Sequence, residues 1–204
     1  MTLYKNAKLS ISTIEEEDKS KVLEYFAEND FNCDTESGAL RPSNTQFVSI
    51  MNGIISGKDD ESNIFVMRKE NEVIGYISMF VEYDRLKIGH IAIKKSERSQ
   101  GYGRLLTETA IAVAENEGRD VSLYCRHPNS CFKKMGFESS DGIHYFHKSR
   151  GLKNENLPKL FVSVEEYTER KLKEQEKELE SFKNFLNSSS FDSLFGQIDI
   201  DRNL

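Results

Sequence analysis

A mixed α/β fold is predicted by three features of the amino-acid sequence. Short apolar segments with strand character alternate with amphipathic helical segments along residues 1–150. A loop with two glycines separates an apolar strand from a helix at residues 99–104. From Gly151 onward the chain becomes rich in Glu and Lys. We therefore expect one α/β (α+β) domain over residues 1–150 and a charged helical extension and tail over residues 151–204.

The first half of the chain predicts a strand, two helices and a hairpin. Alternation predicts a strand over residues 8–13, and Thr13 with Glu16 has the spacing of a capping box for the first helix. A polar loop over residues 29–42 precedes a second helix whose apolar stripe consists of Phe47, Ile50, Met51 and Ile54. Residues 63–68 and 72–83 are predicted to pair as an antiparallel hairpin.

The second half predicts a strand over residues 85–93 and a crossover helix over 101–117, which ends at Gly118. A strand over 121–125 and a short helix over 129–135 come next, and a hairpin with Asp141-Gly142 at its tip closes the domain. A long charged helix is then expected to follow the capping-box pair Ser163 and Glu166.

Composition excludes several functional classes. The net charge of -6 is unfavourable for binding nucleic acid, and no apolar run approaches the length of a membrane span. Three widely spaced cysteines without a Cys-x-x-Cys pair indicate neither a disulfide framework nor a zinc site, so no metal is expected. No secretion signal is recognisable at the N-terminus, and we expect a cytoplasmic protein that binds neither nucleic acid nor membrane.

The two-glycine loop has the order of elements that suits a diphosphate ligand. Backbone N–H groups of a turn and of a helix start converge there on one point. A Rossmann dinucleotide site would require a third glycine where the chain has Leu106, and a P-loop would require Gly-Lys-Ser/Thr.

Residues 98–103, Arg-Ser-Gln-Gly-Tyr-Gly, match the acetyl-CoA signature Gln/Arg-x-x-Gly-x-Gly/Ala. The chain thereby resembles the GNAT superfamily of N-acetyltransferases. Residues 73–77 are similar to the third strand of that family, residues 91–93 to its fourth, and residues 133–137 to its closing Lys-Leu-Gly-Phe element. The resemblance extends over about residues 9–148.

The resemblance implies the GNAT acyltransferase fold, with a mixed and mostly antiparallel sheet splayed between the family's fourth and fifth strands. It also implies acetyl-CoA as co-substrate, with its pantetheine arm paired to the backbone of the fourth strand and its pyrophosphate on the glycine loop. Asn129 is expected near the CoA arm or, alternatively, as a helix N-cap. The expected cofactor-binding residues are Ile91, Ala92, Ile93, Arg98, Ser99, Gln100, Gly101, Tyr102, Gly103, Arg104 and Asn129.

Many GNAT members donate a proton to the leaving thiolate from a tyrosine at the position that Phe132 occupies here. A phenyl ring has no proton to donate. Protonation of the leaving thiolate is therefore absent, carried out by another residue, or unnecessary. Replacements near the expected splay are Tyr124, Cys131 and His127, of which Tyr124 is the first choice.

The identity of the general base is also undecided, because Lys87 occupies the position where the family often has an acidic residue or a histidine. His90 has a suitable titration range, yet strand alternation places it with Ile88 and Ala92, on the opposite face from the thioester unless a bulge intervenes. Glu82 is an alternative base acting through water.

Acidic residues in the loop between the first two helices favour a cationic amine acceptor, although a plain solvated loop has the same composition. They are Asp30, Asp34 and Glu36. Two functions remain open: an N-acetyltransferase acting on a small cationic amine or a protein amine, and a GNAT-fold protein that binds acetyl-CoA without turnover. The last helix leaves a monomer and a coiled-coil homodimer as alternatives.

Overall fold

The computed structural model of the protein describes residues 1–6, 8–28, 43–125, 130–152 and 157–186. Its strands are β1 (Thr2–Lys5), β2 (Leu9–Thr13), β3 (Ser62–Lys69), β4 (Glu72–Glu82), β5 (Arg85–Ile93), β6 (Asp120–Tyr124) and β7 (His144–His147). Its α-helices are α1 (Lys19–Glu28), α2 (Asn44–Ile55), α3 (Tyr102–Glu117), α4 (Ser130–Lys134) and α5 (Val164–Leu186).

The seven strands form one sheet in the order of the sequence, from β1 to β7. Every neighbouring pair is antiparallel except β5 and β6, which are parallel and are connected by the crossover helix α3. This is the mixed, mostly antiparallel sheet that the resemblance implies. The additional edge strand β1 was not predicted, because its four residues show no apolar alternation.

Helices cover both faces of the sheet. On one face, α1 and α2 pack through the stacked rings of Phe26 and Phe47, whose centroids are 4.0 Å apart. On the other face, α3 buries Leu106, Ala110 and Val113 against the central strands, and it ends at Gly118 in the left-handed conformation. The core therefore lies in two layers, with the sheet between them.

The predicted capping box of Thr13 and Glu16 is wrong by two residues. The box is formed by Glu15 and Asp18 around a 3₁₀ turn, and α1 begins at Lys19. Asp18 is almost fully buried and forms an ion pair with Arg68 of β3, which fixes the position of the turn. A contact between residues so distant in sequence leaves no local signal.

Two compact units divide the chain at Ser163, whereas the sequence predicted a boundary at residue 150/151. Residues 157–162 belong to the first unit, because the Val162 N–H donates to the Asp60 carbonyl at 2.8 Å and the Asn116 amide donates to the Leu157 carbonyl at 3.0 Å. The second unit consists of α5 and the residues after it. No helix among the described residues combines the length and apolar character of a membrane span.

Candidate CoA-binding and acyl-transfer site

The loop before α3 has an unusual backbone, and its N–H groups are not bonded to other described parts of the fold. Ser99 and Gly101 both have positive φ, at 63° and 84°. In the described part of the chain, no protein atom accepts a hydrogen bond from the backbone amides of residues 99–104. Six consecutive N–H groups at the positive end of a 16-residue helix are therefore available to an anion.

Gly103 leaves space beside β5 at the start of α3. A Cβ atom built on this residue would lie 4.0 Å from Cγ1 of Ile93, with no other atom within that distance. Internal packing therefore does not require glycine at this position, and its backbone is helical. A ligand that approaches the helix start closely does require it.

The loop side chains that were predicted to bind the cofactor mainly form hydrogen bonds within the loop and to the adjoining strand. Arg98 Nε donates to the Ile93 carbonyl at 3.0 Å, and Gln100 Nε2 donates to Glu97 Oε2 at 3.2 Å. The same carboxylate accepts from Lys69 Nζ at 2.9 Å, and this hydrogen bond raises the pKa of Lys69. The backbone amides, rather than these side chains, are thus the groups left for a diphosphate.

Two of the remaining predicted loop residues have partners on the protein surface. Arg104 Nε donates to Glu108 Oε1 at 2.7 Å, one turn further along α3. Tyr102 lies under Lys69, whose Nζ is 5.8 Å from the ring centroid. Both side chains flank the row of open amides.

A splay in the sheet begins next to this loop. The parallel pairing of β5 with β6 ends at Ile88 and Leu123, but β5 continues to Ile93. The Lys94 N–H donates to Ile74 on the β4 side, so alternation directs the backbone groups of Ile91 and Ile93 toward the unpaired edge. An extended ligand can pair with this edge as a further strand would, and the same gap was expected from the resemblance.

A β-bulge at Gly89 places His90 and Ile88 on opposite faces of the sheet. Ser78 pairs with His90 but Met79 pairs with Ile88, so Gly89 is an extra residue in β5. A Cβ atom at Gly89 would lie 2.8 Å from Phe80 Cε1, so a side chain at this position would have to displace that ring. His90 shares a face with Ala92 as predicted, but the expectation that it also shares a face with Ile88 is wrong.

His90 is held against the helices of its face. Its backbone N–H donates to Ser78 Oγ at 2.9 Å, and its Nδ1 lies 3.4 Å from the same hydroxyl. Its ring meets Phe26 edge-on at a centroid distance of 5.2 Å. The imidazole is thus a packed element beside the bulge.

Glu82, the other candidate base, is ion-paired. Its Oε1 accepts a hydrogen bond from Lys87 Nζ at 2.7 Å, and both side chains are partly exposed. Because paired residues of a sheet lie on the same face, Glu82, Lys87 and His90 occupy the side that carries α1 and α2.

Tyr124, the last residue of β6, extends the same row of polar side chains. Lys87 pairs with Ser122 in the parallel ladder, and alternation returns Tyr124 to that face. Its partner across the β6–β7 ladder is His144, and the two ring centroids are 5.2 Å apart. We call Glu82, Lys87, His90, Tyr124 and His144 the polar face.

An acid–imidazole pair beside Tyr124 was not predicted from the sequence. Asp141 Oδ2 lies 2.6 Å from His144 Nδ1, and its Oδ1 accepts the N–H groups of Ile143 and His144. The bond to the imidazole and these two amides hold the pKa of Asp141 well below its usual range. The sequence signal was the Asp-Gly turn followed by a histidine two residues later.

Phe132 packs inside the closing element. Its ring centroid is 5.8 Å from Phe137 and 5.5 Å from Tyr145, so it forms part of a small aromatic core under α4. Cys131 precedes it and is partly buried. His144 is exposed and His147 is buried, so the two face opposite sides of β7.

Several predicted site residues lie outside the described residues. They are His127, Asn129 and the acidic loop residues Asp30, Asp34 and Glu36. Among the described residues, no group of three or more His, Cys, Asp or Glu side chains is placed to hold a metal ion.

A splayed mixed sheet with a row of open amides at the start of its crossover helix is typical of the class of acyl-CoA-dependent transferases. The family model "Acetyltransferase (GNAT) family" matches residues 23–137, which is more than half of the chain. The protein belongs to the GNAT acetyltransferase family. A comparison with curated protein sequences gave no match.

Solved structures share this fold at low sequence identity. A PaiA N-acetyltransferase from Thermoplasma acidophilum, in complex with coenzyme A, is 16% identical with a TM-score of 0.54 and covers 69% of this chain and 98% of its own. RimL, a ribosomal alpha-N-protein acetyltransferase with coenzyme A, is 14% identical with a TM-score of 0.56, at 74% and 100% coverage. The ribosomal-protein-S18-alanine N-acetyltransferase from Escherichia coli is 20% identical with a TM-score of 0.50, at 74% and 99% coverage.

Proposed function

We propose that the protein is an N-acetyltransferase that moves the acetyl group of acetyl-CoA to a primary amine. The observation that carries the proposal is the row of open amides at residues 99–104 beside the unpaired edge of β5. This arrangement provides one binding site for a diphosphate and an adjacent one for an extended arm that contains amide groups. The two neighbouring features suit coenzyme A better than a simple nucleotide, which has no such arm.

In this proposal the pyrophosphate binds the amides of the α3 start, and Gly101 and Gly103 allow its close approach. The pantetheine arm pairs with the backbone of Ile91 and Ile93. Asn129 is retained as a proposed contact to the arm. The thioester then lies at the opening between β5 and β6, close in register to the bulge at Gly89.

The acceptor amine approaches from the polar face. Its nitrogen attacks the thioester carbonyl carbon, the carbon–sulfur bond breaks, and the amine proton passes to a base. We assign the base to Glu82 or His90, and the ion pair with Lys87 makes Glu82 dependent on displacement of that lysine. The departing thiolate takes its proton from Tyr124, which the Asp141–His144 pair adjoins.

The acceptor is proposed to be a small cationic amine or a protein amine. Two of the similar structures are named as acetyltransferases of proteins, one at an alpha-amino group and one at an alanine. The acidic residues Asp30, Asp34 and Glu36 favour a positively charged acceptor by charge complementarity.

A second candidate function is favoured by Phe132 and by the Glu82–Lys87 ion pair. The first lacks the proton that many family members use, and the second neutralises a candidate base. A protein that binds acetyl-CoA without turnover, as a sensor or interaction module, is consistent with both observations.

Release of free thiol from acetyl-CoA distinguishes the two functions. We expect sustained release in the presence of at least one member of a panel of polyamines, aminoglycosides, lysine peptides and peptides with free N-termini. Calorimetric titration with CoA runs in parallel. Tight CoA binding with no release across the panel would favour the non-catalytic function, and absence of CoA binding would contradict both.

A further inference from the structure

Helix α5 carries large apolar side chains in contact with solvent. Every residue from 172 to 185 is exposed, which corresponds to about 20 Å of helix at 1.5 Å per residue. Leu172 and Leu179 are each 55% exposed, and Phe182 is 57% exposed. A helix that is exposed on all sides gains nothing from these side chains unless another surface covers them.

The spacing of these residues is that of a coiled-coil seam. Leu172 and Leu179 are seven residues apart, and Leu186 continues the interval in the sequence. Phe182 follows Leu179 by three residues, so the leucines occupy a positions and Phe182 a d position of a heptad. Gln175 occupies the preceding d position. We call Leu172, Gln175, Leu179 and Phe182 the seam.

Charged residues flank the seam in an order that matches a second copy of the same helix. The g positions hold Lys171 and Glu178, and the e positions hold Glu176 and Lys183. In a parallel pair of helices, each g residue faces the e residue five positions further along the partner helix. Lys171 then faces Glu176, and Glu178 faces Lys183. The two residues of each contact carry opposite charges. Because the pair of helices is twofold symmetric, each contact occurs twice, which gives four.

Ion pairs within α5 lie on its outer face and also at positions that flank the seam, as in Lys173 with Glu169. Arg170 Nη2 donates to Glu166 Oε1 at 2.6 Å, at f and b positions on the outer face. Lys171 Nζ donates to Glu174 Oε2 at 2.9 Å in the single chain. These ion pairs stabilise the isolated helix, and the four residues of the seam take no part in them.

We propose that two copies of this chain associate through α5 as a short parallel two-stranded coiled coil. The leucines and Phe182 form its layers, and the Lys171–Glu176 and Glu178–Lys183 contacts set its orientation. Gln175 is a polar layer that fixes the register at a cost in affinity. The proposal does not depend on the acetyltransferase activity, since it uses no residue of the first unit.

Sedimentation of the full chain over a wide range of concentrations tests the association. We expect a species of twice the 23.5 kDa chain mass that dissociates on dilution. Lys171→Glu should weaken the dimer about tenfold, because it replaces two attractive contacts with repulsive ones. Lys177→Glu, which makes the same charge change at an outer f position, should leave the dissociation constant unchanged.

Recovery of dimer affinity in a double variant tests the parallel orientation of the two helices. Lys171→Glu combined with Glu176→Lys should return the dimer to near its original affinity, because the interhelical contacts become attractive again. Residues five apart do not face each other on one helix, so the recovery does not come from within a chain. Gln175→Leu should tighten the dimer, a gain that misfolding does not produce.

A chain that remains monomeric at every concentration would overturn the proposal. So would equal effects of Lys171→Glu and Lys177→Glu, or a double variant no tighter than Lys171→Glu alone. Helix content from circular dichroism confirms that each variant retains α5.

Discussion

The α3 loop and the polar face adjoin the same splayed strand, yet they are built in opposite ways. The loop is local: residues 98–104 set its backbone, and the groups that we propose for ligand binding are main-chain amides. The polar face draws its side chains from four strands, and it depends on a bulge and on sheet register. The proposed binding site is therefore encoded in a short motif, whereas the proposed catalytic face depends on the assembled sheet.

Substitution at Gly103 tests the loop side of this comparison with the largest expected effect. In Gly103→Val the side chain would occupy the space before the open amides, and we expect CoA affinity to fall about a thousandfold as charge-assisted hydrogen bonds are lost. The thermal midpoint should change little, because the site is roomy and the backbone helical. Calorimetric titration and thermal unfolding measure the two quantities.

Ala112→Val is the matched control, since it adds a β-branched side chain at an exposed position of the same helix. It should leave CoA affinity unchanged. An unaltered affinity in Gly103→Val would exclude the α3 start from the phosphate site.

On the polar face, Tyr124→Phe is expected to lower kcat about a hundredfold while the affinity for CoA is retained. The phenyl ring keeps the packing against His144 but has no proton for the thiolate. Steady-state kinetics with the best acceptor separates kcat from KM. Tyr83→Phe, at an exposed turn, is the control, and equal rates in the two variants would remove Tyr124 from the reaction.

Gly89→Ala tests the bulge that connects the two regions. Its Cβ would meet the Phe80 ring and Ser78 Oγ, so we expect a loss of about 2 kcal/mol in the free energy of unfolding. Denaturant titration measures the loss. Stability equal to that of the original chain would mean that the bulge tolerates a side chain.

Substitution of Glu115, which lies at the end of α3 far from the loop, has the smallest expected effect, a small loss in the free energy of unfolding. Its buried carboxylate accepts the N–H groups of Arg150 at 2.8 Å and Leu152 at 3.2 Å. Burial alone would raise the pKa of Glu115, but these hydrogen bonds outweigh it and lower the pKa below its ordinary 4.5. The carboxylate therefore stabilises the fold above that pH, and the contribution fades as pH falls through the folded-state pKa.

Glu115→Gln should cost about 1 kcal/mol at neutral pH and progressively less in acid. Urea unfolding at several pH values measures the difference. Glu24→Gln, which removes only an exposed pair with Lys21, should cost less than about 0.5 kcal/mol. A pH-independent difference for Glu115→Gln would contradict the assignment.

Sequence reasoning performed best where structure is set locally. The bounds of β5 and the left-handed cap at Gly118 were predicted as found, since apolar alternation and glycine chemistry act within a few residues. The bulge at Gly89 was not predicted, because it exists only in relation to β4. The Asp141–His144 pair and the Asp18 cap likewise arise from turn geometry and a distant arginine.

The open edge of β5 makes the sheet incomplete over its last five residues, beyond the pairing with β6. An uncovered strand edge is a template for adventitious pairing between chains, which native proteins counteract by covering or blunting such edges. A coenzyme that pairs with this edge in place of the missing strand would thus also stabilise the folded state of the protein that binds it. At a hundredfold excess over its dissociation constant, it would add about 2.7 kcal/mol to the free energy of unfolding. Cellular acetyl-CoA supply would then govern how long the chain survives as well as how fast it works.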